Sequence, residues 1–398
     1  MSILNRVAPL CAVLVLGLPI SAAAQMTGPT TGPTAEDYRN DARSIDGLIA
    51  ENYAYLDRFP SGQAPMTERL RAEADAVHDS ATLLRYAERR LALLEDAHVI
   101  TGSSFSDSWA IVPSYADLWI EPEGGLYRIT AVRDRSPAQG AGVTVGDRLI
   151  RIDGVPTAEA VAAYWRDLGL ESGGDAGYAV RVLAAGRRDR PRLLTVQRGD
   201  GPPRDLALSN LYAAQRPDTG PITTTRGRDG LTIAFNDSLG DDRTIAAFDA
   251  AMTQARRNET IILDLTDTPS GGNTVVARAV MGWFVSEARP YQMHRLMSEE
   301  RETGVPRQWI EEVLPRAGRH HSGAVRVKVG RWTGSMGEGL ALGLDAQGAR
   351  VTGCPMAGLL GAIYDFRLEH SGLTIKLPAE RLSSVSGVPR EDFRCPSA

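Results

Sequence analysis

Gly334-Ser335-Met336-Gly337 has the residue types and order of a nucleophilic serine at a turn between a strand and a helix. The strand is the apolar stretch Val325 to Val329, and the helix runs from about Met336 to Leu344. A hydroxyl at such a turn is exposed, and the helix amides behind it can stabilise an oxyanion. Without that setting, the same residues are a plain turn or an N-cap. Gly271-Gly272 follow the continuous apolar run Thr260 to Leu265, which reads as a buried strand. Glycines there let backbone N–H groups approach a ligand, or simply make a turn. A serine reacts only when a base takes its proton. Lysines are scarce: Lys328 and Lys376 are the only two among 44 basic residues. Lys328 lies on the strand entering the serine turn, and Lys376 on a much later strand. An imidazole with an ordinary pKa of about 6.5 suits general-base work at neutral pH. Of the six histidines, His78, His294 and His370 stand in no motif. His320-His321 are adjacent, diverge on a strand and have no carboxylate spacing for a metal, so they read as a solvated loop. No metal and no cofactor is expected.

The chain has 398 residues, enough for two or three domains. A hydrophobic content of 43% with 23% charged residues excludes wholesale disorder. The net charge of −5 leaves no basic footprint for nucleic acid. Three cysteines cannot build a disulfide-rich scaffold or a four-thiolate zinc site. Residues 1–24 read as a signal peptide. Arg6 is the positive end, Leu10 to Ile20 the apolar stretch, and Ser21-Ala22-Ala23-Ala24 the small residues before cleavage. The stretch is short of the ~20 apolar residues that span a bilayer. The expected location is periplasmic or secreted, with no stable membrane insertion after cleavage. Cleavage removes Cys11. Cys354 and Cys395 can then form one bridge, or remain one buried and one frayed thiol.

The elements that must position Ser335 fall into three units. Residues 25–35 are a Gly/Pro/Thr-rich leader. Residues 36–104 are helical, with Leu83, Leu84, Ala87, Leu91 and Leu94 recurring three and four apart. Residues 105–212 alternate as strands, with Asp153-Gly154 as a hairpin turn and Thr157 to Trp165 as a helix. Gly173 to Arg204 is expected to be strands joined by Arg/Gly-rich turns. Residues 220–398 alternate strand and helix, which argues an α/β core.

The middle unit resembles a PDZ domain of the permuted kind found in bacterial proteases. The resemblance rests on Ile129-Thr130-Ala131-Val132, Ser136-Pro137-Ala138, Ala141-Gly142-Val143, Gly146-Asp147 and Ile152-Asp153-Gly154. From about residue 90 to 394 the chain resembles the tail-specific, or C-terminal processing, serine peptidases and the tricorn core. The anchors are Asp96-Ala97-His98, Ile262 to Leu265 with Asp267 to Gly272, Thr333 to Glu338, Pro378 to Leu382, and Gly387 to Glu391. The fold this implies is α/β: a helical cap, a β-rich PDZ domain and a crotonase/ClpP-like peptidase core.

The resemblance also implies a site. The family base is either a lysine about two dozen residues after the serine or a histidine ahead of the PDZ domain. The position matching the lysine is Leu359, which cannot accept a proton, so the Ser–Lys dyad is disfavoured. His98 matches the histidine of the tricorn-like branch. Glu380, in Pro378-Ala379-Glu380, is expected to orient it, with Glu338 as the rival. The oxyanion donors map to Met336 and to Gly271 or Gly272, although Asn273 stands where a third glycine is common. PDZ domains capture chain ends on backbone amides, and the matching loop is Pro113-Ser114-Tyr115-Ala116. The implied function is an exported serine endopeptidase that forms an acyl-enzyme on peptide or protein substrates. The alternative is an inactive binding or scaffold protein on the same fold.

Overall fold

The computed structural model describes residues 32–213 and 219–395. The expected signal peptide and most of the expected leader lie outside the described residues. The first unit is three helices, α1 (Ala35–Asn52), α2 (Glu68–Ala76) and α3 (Ser80–Ala92), followed by the short strand β1 (Ile100–Thr101). Thr34 and Asp37 form a reciprocal capping box at α1, and Thr67 and Asp79 cap α2 and α3. Apolar positions three and four apart bury Ala42, Ile45 and Ile49 of α1 against Leu83, Ala87 and Leu91 of α3. After α3 the Asp96 carboxylate accepts the His98 N–H at 2.8 Å and the Tyr53 hydroxyl at 2.9 Å. That turn fixes where His98 leaves the helical unit.

The second unit runs β2 (Leu118–Glu123), β3 (Leu126–Val132), α4 (Pro137–Gly140), β4 (Arg148–Ile152), β5 (Val155–Pro156), α5 (Thr157–Asp167), α6 (Ala176–Ala185), β6 (Arg192–Gln197) and β7 (Arg204–Leu208). Its antiparallel sheet has the order β2-β3-β4-β6-β7, with β5 on β4. Asp153 and Gly154 take positive φ (49° and 78°), as the hairpin turn requires. The expectation of strands throughout Gly173 to Arg204 is corrected, because α6 occupies the first part. Asp175 caps it, Gly186 (φ 79°) ends it, and the alanine-rich stretch between them favours helix. The Asp117–Arg192 ion pair (2.9 Å) is fully buried, and Asp117 also accepts the Ala138 N–H at 3.0 Å. The pair ties the start of β2 to β6 and α4. One hydrophobic cluster runs from Ile45 and Leu94 of the helical unit into Leu118, Trp165 and Val180. The helices and the middle sheet therefore share a core.

The third unit contains β8 (Ile222–Gly227), β9 (Gly230–Phe235), α7 (Arg243–Thr253), β10 (Ile261–Asp264), α8 (Thr274–Met281), β11 (Arg289–Leu296), α9 (Met297–Thr303), β12 (Gln308–Val313), β13 (Val325–Lys328), α10 (Met336–Ala346), β14 (Arg350–Thr352), β15 (Ala362–Arg367) and β16 (Thr374–Ser383). The core sheet has the order β14-β13-β10-β9-β8; β9, β10, β13 and β14 are parallel, and β8 is antiparallel. The second sheet, β1-β16-β11-β12 with β15 also on β16, is antiparallel and recruits β1 from the helical unit. The helix α10 packs against β11 and β14, so it lies between the two sheets. Cys354 and Cys395 form a disulfide, with their Cα atoms 5.6 Å apart. Among the described residues no helix is long and apolar enough to cross a membrane.

Candidate active site

Ser335 and Gly271 follow the carboxyl ends of two neighbouring parallel strands, β13 and β10, where open α/β sheets place ligands. A bridge between Thr268 and Thr333 draws the two loops together. In it Thr268 N–H donates to the Trp332 carbonyl (2.9 Å), and Gly334 N–H to the Thr268 carbonyl (3.2 Å). Both threonine hydroxyls donate to the Leu265 carbonyl, at 2.9 and 2.7 Å. Ser335 itself has φ 51° and ψ −115°, a strained backbone for a residue with a Cβ. This strand-to-helix elbow presents the hydroxyl and aims the first turn of α10 at it.

Gly271 also has positive φ (67°), and a Cβ there would lie 2.5 Å from Ser335 Cβ and 3.1 Å from Met336 N. A Cβ on Gly272 would lie 2.1 Å from the Leu239 carbonyl oxygen. Only glycines fit. Gly271 N–H donates to Thr268 (3.2 Å), whereas the Gly272 and Met336 N–H groups have no partner among the described residues. Asn273, the departure from a third glycine, is the N-cap of α8 and accepts the Val276 N–H at 2.9 Å.

His98 Nε2 lies 3.0 Å from Ser335 Oγ, and Nδ1 lies 2.5 Å from the Leu360 carbonyl oxygen. A carbonyl only accepts, so Nδ1 carries the proton and Nε2 presents its lone pair to the hydroxyl. Burial, reinforced by the Arg390 charge, lowers the imidazole pKa to about 4. His98 is thus neutral and in the tautomer a general base needs.

The structure corrects the expected orienting residue. Glu380 bonds to His294 Nδ1 (2.8 Å) and the Tyr364 hydroxyl, not to His98. Its strand β16 faces β11, which points the carboxylate at His294. His294 lies between Glu380 and Glu311 and is raised to about 9. Burial works against that rise, and the bonds to the two carboxylates outweigh it. The rival, Glu338, does not reach His98 either. It is fully buried and accepts the N–H groups of Ser335 (2.9 Å), Gly358 (2.8 Å) and Leu359 (3.2 Å). Burial pushes its carboxyl up to about 7, against the pull of Arg390 and those three bonds.

Sequence reasoning missed the Leu360 carbonyl and Arg390. A backbone carbonyl leaves no residue-type signal. Arg390 stood within a matched motif, and nothing local marks it as facing His98. Leu359, at the lysine position, is buried in an apolar cluster with Trp119, Trp332 and Ala357, where an ammonium would lack a partner. Neither lysine is at the site. Lys328 is exposed on β13, and Lys376 pairs with Asp365 at 2.7 Å.

The loop Pro113 to Ala116 sits beside the glycine loop, with Ser114 Oγ 3.4 Å from Ser270 Oγ. Trp332 Nε1 donates to the Ala116 carbonyl (2.7 Å), and Arg133 donates to the Ser114 carbonyl (2.8 Å) and to Asp267 (2.8 Å). The Tyr115 N–H already donates to the Ile111 carbonyl (2.8 Å) and the Ala116 N–H to the Pro113 carbonyl (3.1 Å). Pro113 has no N–H, so of the four residues only Ser114 keeps an amide for a ligand. Among the described residues no group of histidine, cysteine or carboxylate side chains is arranged for a metal.

No family model matches the chain, and no curated protein gives a significant match. Solved structures do resemble it. The photosystem II D1 C-terminal processing protease aligns at 16% identity and a TM-score of 0.55, over 90% of this chain and 92% of that one. Mature CPAF aligns at 12% identity and 0.52, over 91% and 92%. Mature CPAF complexed with lactacystin aligns at 12% and 0.51, over 91% and 93%. The chain has the fold of these proteases across nearly its whole length.

Proposed function

We propose that the chain is a serine peptidase in which His98 activates Ser335. The observation that carries this reading is the Ser335–His98 contact at an elbow that also holds unpartnered amides. His98 Nε2 takes the hydroxyl proton as Oγ attacks the peptide carbonyl. The Met336 and Gly272 amides hold the developing oxyanion. The imidazolium then gives its proton to the leaving amine, and water hydrolyses the acyl-enzyme by the reverse sequence. The Leu360 carbonyl keeps the imidazole in one tautomer and orientation throughout.

The middle unit, read as a PDZ domain, would present a substrate's C-terminal or extended segment to this site. The closeness of Ser114 to Ser270 supports delivery at the oxyanion loop. The occupied amides of Tyr115 and Ala116 mean that full capture of a carboxylate requires the loop to rearrange. Export fits the disulfide and the N-terminal composition. A fluorophosphonate probe tests the core of the proposal. It should label the wild-type chain at Ser335 and leave Ser335→Ala unlabelled. A folded wild-type chain that stays unlabelled would overturn the proposal in favour of a non-catalytic binding role.

A further inference from the structure

The acceptor that holds His98 is a backbone carbonyl, and a carbonyl is only as well placed as the segment that carries it. Leu360 lies in a stretch without helix or strand between β14 and β15. Arg390 comes from the short 3₁₀ turn Arg390–Asp392, is 2% exposed, and its Nη2 donates to the carbonyls of Leu359 (2.8 Å) and Gly361 (2.7 Å). These two carbonyls flank the one that receives His98 Nδ1–H. From α10, Glu338 accepts the Gly358 and Leu359 N–H groups of the same stretch while also holding Ser335 N–H. The Cys354–Cys395 bridge joins the beginning of this stretch to the segment that follows the Arg390 turn. Buried carbonyls usually find donors in regular structure; here a buried guanidinium supplies them.

We propose that Arg390 is a positioning residue for the catalytic base: through Leu359 and Gly361 it aims the Leu360 carbonyl that orients His98 toward Ser335. This rests on the Ser335–His98 reading and adds the group that makes the backbone acceptor serve in place of a carboxylate. The charged groups around the pair are Asp96 on the His98 turn, Glu338 on α10, and Arg390 with Glu391 on the turn 390–392. Glu391 Oε2 and the Tyr55 hydroxyl are buried beside each other. Arg58 faces Asp96, and Arg381 faces Tyr55, so Arg390 is the cation that acts on His98 itself.

The test combines side-chain nitrogen NMR of the histidines with probe labelling, using the full chain. His98→Ala assigns the His98 signals. In the wild type His98 should show the Nδ1–H tautomer and titrate well below the other histidines. Arg390→Met should move that titration upward, weaken the tautomer preference and slow Ser335 labelling by about 10²-fold, as misplacement of a catalytic group does. Arg390→Lys, which keeps a cationic donor, should recover part of the loss. Loss of the Arg390 charge alone raises the His98 titration, whereas a role confined to anchoring the tail would lower the melting temperature and leave the tautomer preference and the labelling rate where they are. A folded Arg390→Met with wild-type tautomer and labelling rate overturns the proposal. Should that variant not fold, Arg390→Lys together with the double variant Cys354→Ala/Cys395→Ala carries the test. Both are expected to weaken the His98 tautomer preference and slow Ser335 labelling, and neither doing so overturns it. Wild type that fails to label contradicts the peptidase reading instead, and the NMR comparison still decides what Arg390 does.

Discussion

His98 and His294 are both buried, and their surroundings push them in opposite directions. Burial and the nearby Arg390 charge disfavour the charged form of His98, against the bond to the Leu360 carbonyl, and its pKa falls to about 4. Between pH 6.5 and 4 the unfolded chain binds a proton that folded His98 refuses, and stability falls as the pH drops through that window. His294 sits between two carboxylates and is raised to about 9. Its contribution is complete below pH 6.5 and is lost as the pH rises through 9. Denaturation midpoints measured across pH should decline on both flanks, and His294→Gln should flatten the alkaline one. The acid limb of Ser335 labelling should lie well below pH 6.5, because the base stays neutral there. Glu380→Gln should disturb His294, lower the melting temperature and leave labelling within a few-fold of wild type. Labelling abolished in a folded Glu380→Gln would restore Glu380 as an orienting group. Gly271→Ala should abolish labelling, since the new Cβ collides with Ser335 and Met336.

At the scale of elements, two features carry expectations of their own. Asn273 caps α8 beside the glycine loop, so Asn273→Ala should cost about 1 kcal/mol and Asn273→Gly only a few tenths, read by chemical denaturation. The disulfide closes a loop between residues 41 apart, and removing it should cost about 2–4 kcal/mol. Much of this was legible beforehand. The run Thr260 to Leu265 announced β10, and the Gly-Ser-Met-Gly turn announced the elbow, because strand burial and turn chemistry are local. The α6 helix was not, because arginines and glycines on either side resembled hairpin turns. The orienting group of His98 was not either. Glu380 matched a motif, but which side of β16 its carboxylate faces depends on pairing with β11, a contact between residues far apart in the chain.

For the whole molecule, the shared core of helices and middle sheet has a consequence. Thr67 donates to the Leu168 carbonyl at 2.8 Å, and the hydrophobic cluster crosses the boundary between the two units. Residues 105–212 expressed alone should therefore expose apolar surface and lack sharp melting, whereas 36–212 should retain it; calorimetry separates the two outcomes. The molecule brings His98 from the helical unit to Ser335 of the α/β core, and β1 joins the second sheet to hold it there. The account stands or falls on those two side chains acting together. The most direct measurement is the rate of fluorophosphonate labelling at Ser335 in wild type, His98→Ala and Ser335→Ala, followed by intact-mass spectrometry across pH. The account predicts one adduct on wild type, none on Ser335→Ala, and a rate about 10²–10⁴-fold lower for His98→Ala. Equal labelling of wild type and a folded His98→Ala would contradict it.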